Sequence, residues 1–285
     1  MPKFDYDPLD FHQPSLPEVR RMLHLQRLWF APQFHGLEHV DPARPALYVG
    51  NHTLFAVFDG PLMLEGLYEK AGVYLRSLGD RFHFYVPGWR ESLVKFGGVL
   101  GTRENCGKLM QSGQHILVYP GGAREVTKNR DEQYQLIWKR RTGFAAMAME
   151  YGYDIIPFAA IGADETYTIR YDANDFRASL LGRALDKAGI MQKYLRGGDM
   201  FGPLVSGIGG TPIPRPEKLY FKFGPRISTK PWQERFQDKD AQWEVRDQVE
   251  AQVYALMDDL FRIRNDDTDW PWWRRQLVKR LPEPR

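Results

Sequence analysis

A histidine and an aspartate near the start of the chain form a pattern that could do acid–base chemistry. His52 ends the run Val49-Gly50-Asn51-His52, and six residues separate it from Asp59. A neutral imidazole can accept a proton from a hydroxyl group near pH 7, and a carboxylate at the far ring nitrogen fixes the tautomer. The pair therefore predicts general-base catalysis, with His52 as the base and Asp59 as its orienting partner. A histidine after a strand is more often a capping or packing residue, so the pair alone does not decide.

A second block, residues 96–103, reads Phe-Gly-Gly-Val-Leu-Gly-Thr-Arg. Its glycines allow close approach of the main chain to a ligand. Arg103 could bind an anionic acceptor or the phosphates of a thioester carrier. The same residues would also suit a glycine turn before a strand, with Arg103 in a surface ion pair.

A third block, residues 118–125, reads Val-Tyr-Pro-Gly-Gly-Ala-Arg-Glu. A strand that ends in Pro-Gly-Gly leaves main-chain N–H groups free to face a ligand, and Arg124 adds a cation. The Lys-Ser/Thr pair of a phosphate-binding loop is missing. We therefore predict a substrate-binding turn made of Gly121, Gly122, Arg124 and Glu125, although a simple sharp turn would have the same sequence.

The elements that must position these residues are predicted from hydrophobic periodicity. Buried strands are expected at residues 45–49, 116–119, 154–161 and 219–223, and shorter strands or loops at 73–75 and 82–86. Helices are expected at residues 17–33, 59–72, 131–151 and 234–264. Alternating strands and helices favour an α/β fold, here a single domain with a central mixed β-sheet flanked by helices. Open sheets of this kind place their sites at strand ends, where the blocks lie.

The chain divides into three parts by composition. Residues 1–44 are expected to form an N-terminal arm and an amphipathic helix, and residues 45–264 the main domain. Within that domain, residues 163–215 look like an irregular apolar insertion or lid that could cover an acyl-chain tunnel. Residues 265–285 form a basic, aromatic C-terminal tail.

Composition excludes several classes of protein. The net charge of +3 over 285 residues is too small to argue for a nucleic-acid partner. The one cysteine, Cys106, excludes an internal disulfide framework and a cysteine-rich zinc site. Neither a transmembrane segment nor a signal peptide is expected, because no apolar stretch is long enough and the N-terminus lacks the secretory pattern. The sequence leaves the oligomeric state open.

The tail indicates contact with a membrane. It interleaves three tryptophans with cations, and Trp273, Leu277 and Leu281 fall at helical spacing. Such a segment can lie in the lipid headgroup layer, as can the helix expected at residues 17–33. The alternative is a tail whose tryptophans pack back on the domain.

The four blocks in order, with Ile-Ile-Pro-Phe at residues 155–158 as the last, resemble those of the glycerolipid acyltransferase superfamily. The sequence is most similar to its phytyl ester synthase and diacylglycerol acyltransferase branch. Residues 118–125, 132–138 and 219–227 carry that closer likeness, and the whole resemblance spans about residues 45–227.

The resemblance implies acyl transfer from an acyl-CoA or acyl-carrier-protein thioester to a lipid hydroxyl, on the cytoplasmic face of a membrane. His52 would be the base, while Arg103 and the N–H groups near Gly121 and Gly122 would stabilise the oxyanion. No metal or cofactor is expected beyond the thioester co-substrate. Gly121 stands where phosphate-acceptor enzymes carry glutamate, which favours a neutral acceptor such as diacylglycerol, monoacylglycerol or a long-chain alcohol.

Three alternatives remain open at this stage. The chain could be a lysophospholipid or glycerol-phosphate acyltransferase with a variant third block. It could also be a non-catalytic lipid-binding protein on the same scaffold, since six residues separate His52 from Asp59 where the superfamily usually has four. An ester hydrolase is disfavoured because the nucleophile elbow is absent.

Overall fold

A seven-stranded sheet forms the centre of the computed structural model, which describes residues 6–190 and 201–278. Its spatial order is β1-β9-β6-β2-β5-β3-β4. The antiparallel pairing is that of β6 with β9, and the other neighbours run parallel. This confirms the predicted mixed α/β class. The strands are β1 (Gln33–His35), β2 (Ala46–Gly50), β3 (Arg76–Gly79), β4 (Val99–Leu100), β5 (Ile116–Val118), β6 (Asp154–Ile161) and β9 (Tyr220–Phe223).

Helices cover both faces of this sheet, and a separate two-stranded sheet is formed by β7 (Thr168–Tyr171) and β8 (Leu204–Ser206). The helices that follow the strands in the first half of the chain are short. The helices are α1 (Leu16–Phe30), α2 (Asp59–Ala71), α3 (Arg81–Tyr85), α4 (Trp89–Lys95), α5 (Arg103–Gln111), α6 (Ala123–Val126), α7 (Gly143–Tyr151), α8 (Ala173–Ala178), α9 (Leu180–Lys187), α10 (Lys239–Asp266) and α11 (Trp272–Leu277).

The strand that leads to His52 is buried along its whole length. Because side chains alternate across a strand, Leu47 and Val49 join the core under α5, α7 and α10, while Ala46 and Tyr48 join the core under α1 and α2. Burial on both faces is why this strand reads as a continuous apolar run.

The long helix α10 covers one face of the sheet with a stripe at helical spacing. Val245, Val249 and Val253 are each 0% exposed and belong to the core shared with β6. Residues four apart lie on one side of a helix, so this side faces the sheet. The helix was predicted from residue 234, but residues 230–235 form a 3-10 turn and α10 begins at Lys239.

Two sequence predictions about secondary structure are wrong. The helix expected over residues 131–151 occupies only Gly143–Tyr151, because the preceding segment folds irregularly toward the sheet and buries Trp138 completely. The segment at residues 82–86, expected as strand or loop, begins within α3, which Asp80 caps by accepting a hydrogen bond from the Phe82 N–H at 2.9 Å. Residues 73–75, expected as strand or loop, form a loop that leads into β3 at Arg76–Gly79.

The expected irregular insertion is more ordered than its composition suggested. Between residues 163 and 215 it contains α8, α9, β7 and β8, and residues 191–200 lie outside the described residues. Leu180 and Leu181 are strongly exposed on α9, so these two side chains do not line an enclosed tunnel. In the C-terminal tail α11 is described, whereas Lys279, Arg280 and Leu281 lie outside the described residues.

Candidate active site

His52 lies two residues beyond β2, at the edge of the sheet where β2, β5 and β6 all end, which we call the carboxyl edge. The Asn51 amide extends the pairing of β2 with β6, because it donates to the Ala160 carbonyl and accepts from the Ala160 N–H, both at 2.8 Å. Gly50 is required just before it, since a Cβ there would lie 2.4 Å from the Phe158 carbonyl oxygen. The Gly-Asn-His run therefore fixes where the histidine leaves the sheet.

The imidazole of His52 is half-buried and stacked on Tyr119. The ring centroids are 3.9 Å apart and the ring planes differ by 9°. Burial, with smaller contributions from the charges of Lys128 and His83, lowers the pKa of His52 from 6.5 to about 3. A histidine in this environment is neutral at pH 7, which is the form that can accept a proton.

Asp59, the predicted partner, is the first residue of α2 and is only 2% exposed. In the part of the chain that the structure describes, no hydrogen bond joins Asp59 to His52. Asp59 Oδ1 and His52 Nδ1 are both buried, and neither has a hydrogen-bond partner there. Burial raises the pKa of Asp59 to about 6. The structure thus brings the two residues to the same loop without pairing them, and their catalytic roles stay predictions.

The Pro-Gly-Gly turn follows β5 and lies beside the histidine loop. The Gly122 N–H donates to the Tyr119 carbonyl at 3.1 Å, so this N–H is occupied within the turn. Gly122 has φ of +51°, a left-handed conformation that favours glycine. Arg141 donates to the carbonyl oxygens of Pro120 and Gly121 at 2.7 and 2.6 Å. Sequence reasoning missed Arg141, because nothing in its spacing indicates which turn it reaches.

Glu125 was predicted to bind substrate, but the structure buries it against the histidine loop. Its Oε2 accepts from the His52 main-chain N–H at 3.3 Å, and its Oε1 accepts from the Ile137 N–H at 2.9 Å. Glycine suits position 121 because a Cβ there would lie 2.1 Å from the Glu125 carboxyl carbon. Burial raises the pKa of Glu125 to about 7. The carboxyl group therefore joins three segments of the site.

The two predicted arginines are both engaged elsewhere. Arg124 pairs with Glu132 in the same loop and is little exposed. Arg103 pairs with Glu150 of α7 at 3.0 Å, and among the described residues it makes no hydrogen bond to His52 or Gly121. The surface ion pair that the sequence left open is thus the arrangement of Arg103 in this structure.

An apolar cavity of about 190 Å³ lies between the sheet, α5 and α7. Arg103 and Thr102 contribute to its lining at the start of α5. Its other lining residues are mainly apolar and include Leu47, Leu78, Val118, Phe144 and Met147. The cavity lies on the face of the sheet that carries α5 and α7, toward the ends of β3 and β5.

Residues 31–161, which contain the strand ends, the histidine and both glycine blocks, match the family model described as Acyltransferase. Residues 31–161 are thus similar to an acyltransferase domain. Phytyl ester synthase 2 of Arabidopsis thaliana is 30% identical to the chain over 244 residues, which cover 81% of this chain and 34% of that protein. The human "DGAT1/2-independent enzyme synthesizing storage lipids" is 32% identical over 130 residues, covering 46% of this chain and 40% of that protein. The chain spans about a third of the length of the phytyl ester synthases that it matches.

The fold of this chain is also found in a solved structure. The 1-acyl-sn-glycerophosphate acyltransferase PlsC of Thermotoga maritima superposes with a TM-score of 0.50. The match covers 85% of this chain and 79% of that one at 15% identity. At this identity the likeness shows the fold alone. It confirms the central sheet with flanking helices that the sequence predicted.

Proposed function

We propose that this chain transfers an acyl group from a thioester to the hydroxyl group of a lipid at a membrane surface, with His52 as the general base. The observation that carries the proposal is a half-buried imidazole, kept neutral by its surroundings, at the carboxyl edge of an acyltransferase domain. Sites of α/β sheets lie at this edge, so the imidazole stands where substrates bind.

The proposed reaction is a single transfer without a covalent acyl-enzyme. His52 removes the proton of the acceptor hydroxyl as the hydroxyl oxygen attacks the thioester carbonyl carbon. The carbon–sulfur bond then breaks, and the imidazolium returns the proton to the leaving thiolate. The products are an ester and a free thiol, and the histidine ends in its starting form.

The developing oxyanion needs hydrogen-bond donors in the same place. The Gly122 N–H is already hydrogen-bonded within the turn. The Gly121 N–H has no hydrogen bond among the described residues, so it is the main-chain donor that we assign to the oxyanion. Arg141 lies against the same turn through the Pro120 and Gly121 carbonyl oxygens. We therefore propose that the turn and Arg141 stabilise the oxyanion. Arg103 instead lines the apolar cavity.

A neutral acceptor fits the third block better than a phosphorylated one. Arg124 and Arg103 both have carboxylate partners, and the Glu125 carboxyl group fills the space beside Gly121. A phosphate at this turn would compete with those carboxylates. Diacylglycerol, monoacylglycerol and long-chain alcohols carry no such charge. The apolar cavity beside α5 is suited to the acyl chain of the donor.

Exposed apolar side chains at the carboxyl edge support contact with a membrane. Strand β1 runs antiparallel to β2, through its pairing with β9, so α1 ends at the carboxyl edge. Leu25 and Leu28 of α1 are 77% and 63% exposed, and Trp272 of α11 is 78% exposed. Helix α11 is held to the end of α1, because Arg274 donates to the Trp29 carbonyl at 2.9 Å.

A second exposed apolar cluster lies at the same edge. Helices α3 and α4 follow the end of β3, and they expose Phe82, Tyr85 and Trp89. Among the described residues no helix has the length and apolar content needed to cross a bilayer. The edge that carries His52 is thus the one that we expect to face the lipid.

The proposal is tested by acceptor competition. Purified protein is incubated with radiolabelled acyl-CoA or acyl-carrier protein and equal amounts of diacylglycerol, a long-chain alcohol and lysophosphatidate. We expect label in the neutral esters. Preferential acylation of lysophosphatidate would favour a phospholipid-forming enzyme, and lipid binding without any ester product would favour a non-catalytic lipid-binding protein.

A further inference from the structure

The histidine loop, residues 51–56, has an unfavourable main-chain conformation. Phe55 and Ala56 have φ of +60° and +52°, which side-chain-bearing residues rarely adopt. Such conformations persist only where surrounding contacts hold them. The loop therefore needs fixed hydrogen-bond partners to keep His52 in place.

Two buried carboxylates hold this loop. Glu125 accepts from the His52 N–H, and Asp164 Oδ1 accepts from the Leu54 N–H at 2.7 Å. Farther along, the Phe55 N–H donates to the Val126 carbonyl at 3.0 Å. The main chain around the histidine is thus held on one side by the turn that follows β6 and on the other side by α6.

One buried lysine pairs with one of these carboxylates and acts on the other through its charge. Lys128 is 1% exposed and Asp164 is 0% exposed, and Lys128 Nζ lies 2.8 Å from Asp164 Oδ2. Asp164 Oδ2 also accepts from the Tyr134 N–H at 3.3 Å. The charge of Lys128 reaches Glu125 as well, where it lowers the pKa of that carboxyl group. Burying both charges of an ion pair costs desolvation free energy. We therefore look for a role of this pair in positioning the surrounding chain.

We propose that Lys128 is a positioning residue for His52: its ammonium group holds Asp164 in the arrangement that fixes the histidine loop. The proposal rests on the proposed function, because it assigns a role toward the catalytic base. Among the described residues, Lys128 makes its side-chain hydrogen bond to Asp164, and none joins it to the imidazole. It acts through the Asp164 carboxylate, so its loss should misplace His52 rather than remove a reacting group.

The same cation also acts on the protonation of His52. The charged and titratable groups around the imidazole include Lys128 and His83, whose charges lower the pKa of His52, the stacked Tyr119, and the buried Glu125 and Asp59. Loss of the Lys128 charge removes one of the two cationic contributions. The acid limb of activity should then move to higher pH, an effect that a purely structural ion pair would not produce.

The test compares Lys128→Met with Lys218→Met. Lys218 is 3% exposed and pairs with Asp267 at 2.9 Å, so it is a second buried lysine–aspartate pair, with no hydrogen bond to residues 51–56 in the part of the chain described. Folded fraction, kcat, KM and the pH profile of kcat/KM are measured on the full chain. For Lys128→Met we expect a fall in kcat of at least about tenfold with little change in acceptor KM, and an acid limb at higher pH. For Lys218→Met we expect lower thermal stability. Its kcat and its pH profile should equal those of the unmodified chain.

The double variant Lys128→Met with Asp164→Asn separates stability from positioning. It leaves neither charge unpaired and keeps an oxygen for the Leu54 N–H, so it should fold even if Lys128→Met alone does not. We expect it to regain thermal stability but not kcat or the original acid limb. The inference would be overturned if the double variant regained both kcat and the original acid limb. It would also be overturned if Lys218→Met lost as much kcat as Lys128→Met. Full activity of His52→Ala would instead refute the proposed function, whereas an inactive His52→Ala beside an unimpaired Lys128→Met would refute only the role of Lys128.

Discussion

The ring of Tyr119 lies flat against the imidazole of His52, with centroids 3.9 Å apart. Tyr119 directly follows β5, and His52 follows β2 by two residues, so neighbouring strands bring the two rings together. The stack fixes the plane of the imidazole without using either ring nitrogen. In this structure the orientation of the proposed base therefore comes from an aromatic neighbour, and not from the carboxylate of Asp59.

Substitution of Tyr119 tests this source of orientation. Tyr119→Phe keeps the stacked ring and should retain kcat, whereas Tyr119→Ala lets the imidazole rotate and should lower kcat by about tenfold or more. Steady-state acyl-transfer assays on both variants, with circular dichroism to check folding, measure the difference. An alanine variant with the kcat of the phenylalanine variant would show that the stack does not matter.

Asp59 should matter less than His52. Because no hydrogen bond joins them among the described residues, Asp59→Asn should cost much less activity than His52→Ala. The carboxamide keeps the volume of this buried position, and burial already raises the pKa of Asp59 to about 6. If both variants lost activity equally, Asp59 would have to reach His52 when substrate is bound.

The protonation of His52 is a direct prediction of its burial. Its pKa is lowered to about 3, so the imidazole should stay neutral as the pH falls from 7 to 5, where an exposed histidine would become charged. The unfolded chain binds that proton below about pH 6.5 and the folded chain does not, so this group lowers stability as the pH falls through that value. Histidine NMR titration, with His52→Gln to assign the signal, gives the measurement. A His52 signal that titrates near pH 6.5 would contradict the burial argument.

The close packing of Gly121 against Glu125 predicts a stability effect. A Cβ at position 121 would overlap the Glu125 side chain, so Gly121→Ala should lower the free energy of unfolding by about 1–3 kcal/mol. Gly143→Ala is the control, because a Cβ there meets nothing within 4 Å and alanine suits a helix. Denaturant unfolding measures both. Equal stabilities would mean that Glu125 moves aside without cost.

Membrane contact through the carboxyl edge predicts which apolar side chains matter. Leu25→Ser and Trp272→Ser should each weaken binding to anionic vesicles, since both side chains are more than three-quarters exposed. Leu9→Ser is the control, because Leu9 is also exposed but lies next to Pro8, whose carbonyl accepts from Arg76 at the start of β3 and thus at the opposite edge. Vesicle co-sedimentation compares the three variants. An equal effect of Leu9→Ser would place the membrane elsewhere.

The sequence predicted those parts of the fold that depend on local patterns. The strand that leads to His52 was expected because Ala46 to Val49 is a continuous apolar run, and α2 was expected from Asp59 onward. The Pro-Gly-Gly turn lies beside the histidine loop because the ends of the parallel strands β2 and β5 share one edge.

Other parts depend on contacts between distant segments, which spacing does not reveal. The segment before α7 looked helical, yet its Ile137 N–H is bound by Glu125 instead of by a helical carbonyl. The buried pair of Lys128 with Asp164 joins residues 36 positions apart. The chain between His52 and Asp59 includes the left-handed Phe55 and Ala56, which no residue-type signal marks.

The most direct measurement is acyl transfer by His52→Ala. Purified variant and unmodified protein are compared for transfer of a radiolabelled acyl chain from a thioester to diacylglycerol or a long-chain alcohol, with folding and vesicle binding checked in parallel. If His52 is the general base, the variant folds and binds vesicles normally but loses about 10²–10⁴-fold in kcat. A folded His52→Ala variant with the kcat of the unmodified protein would contradict the account.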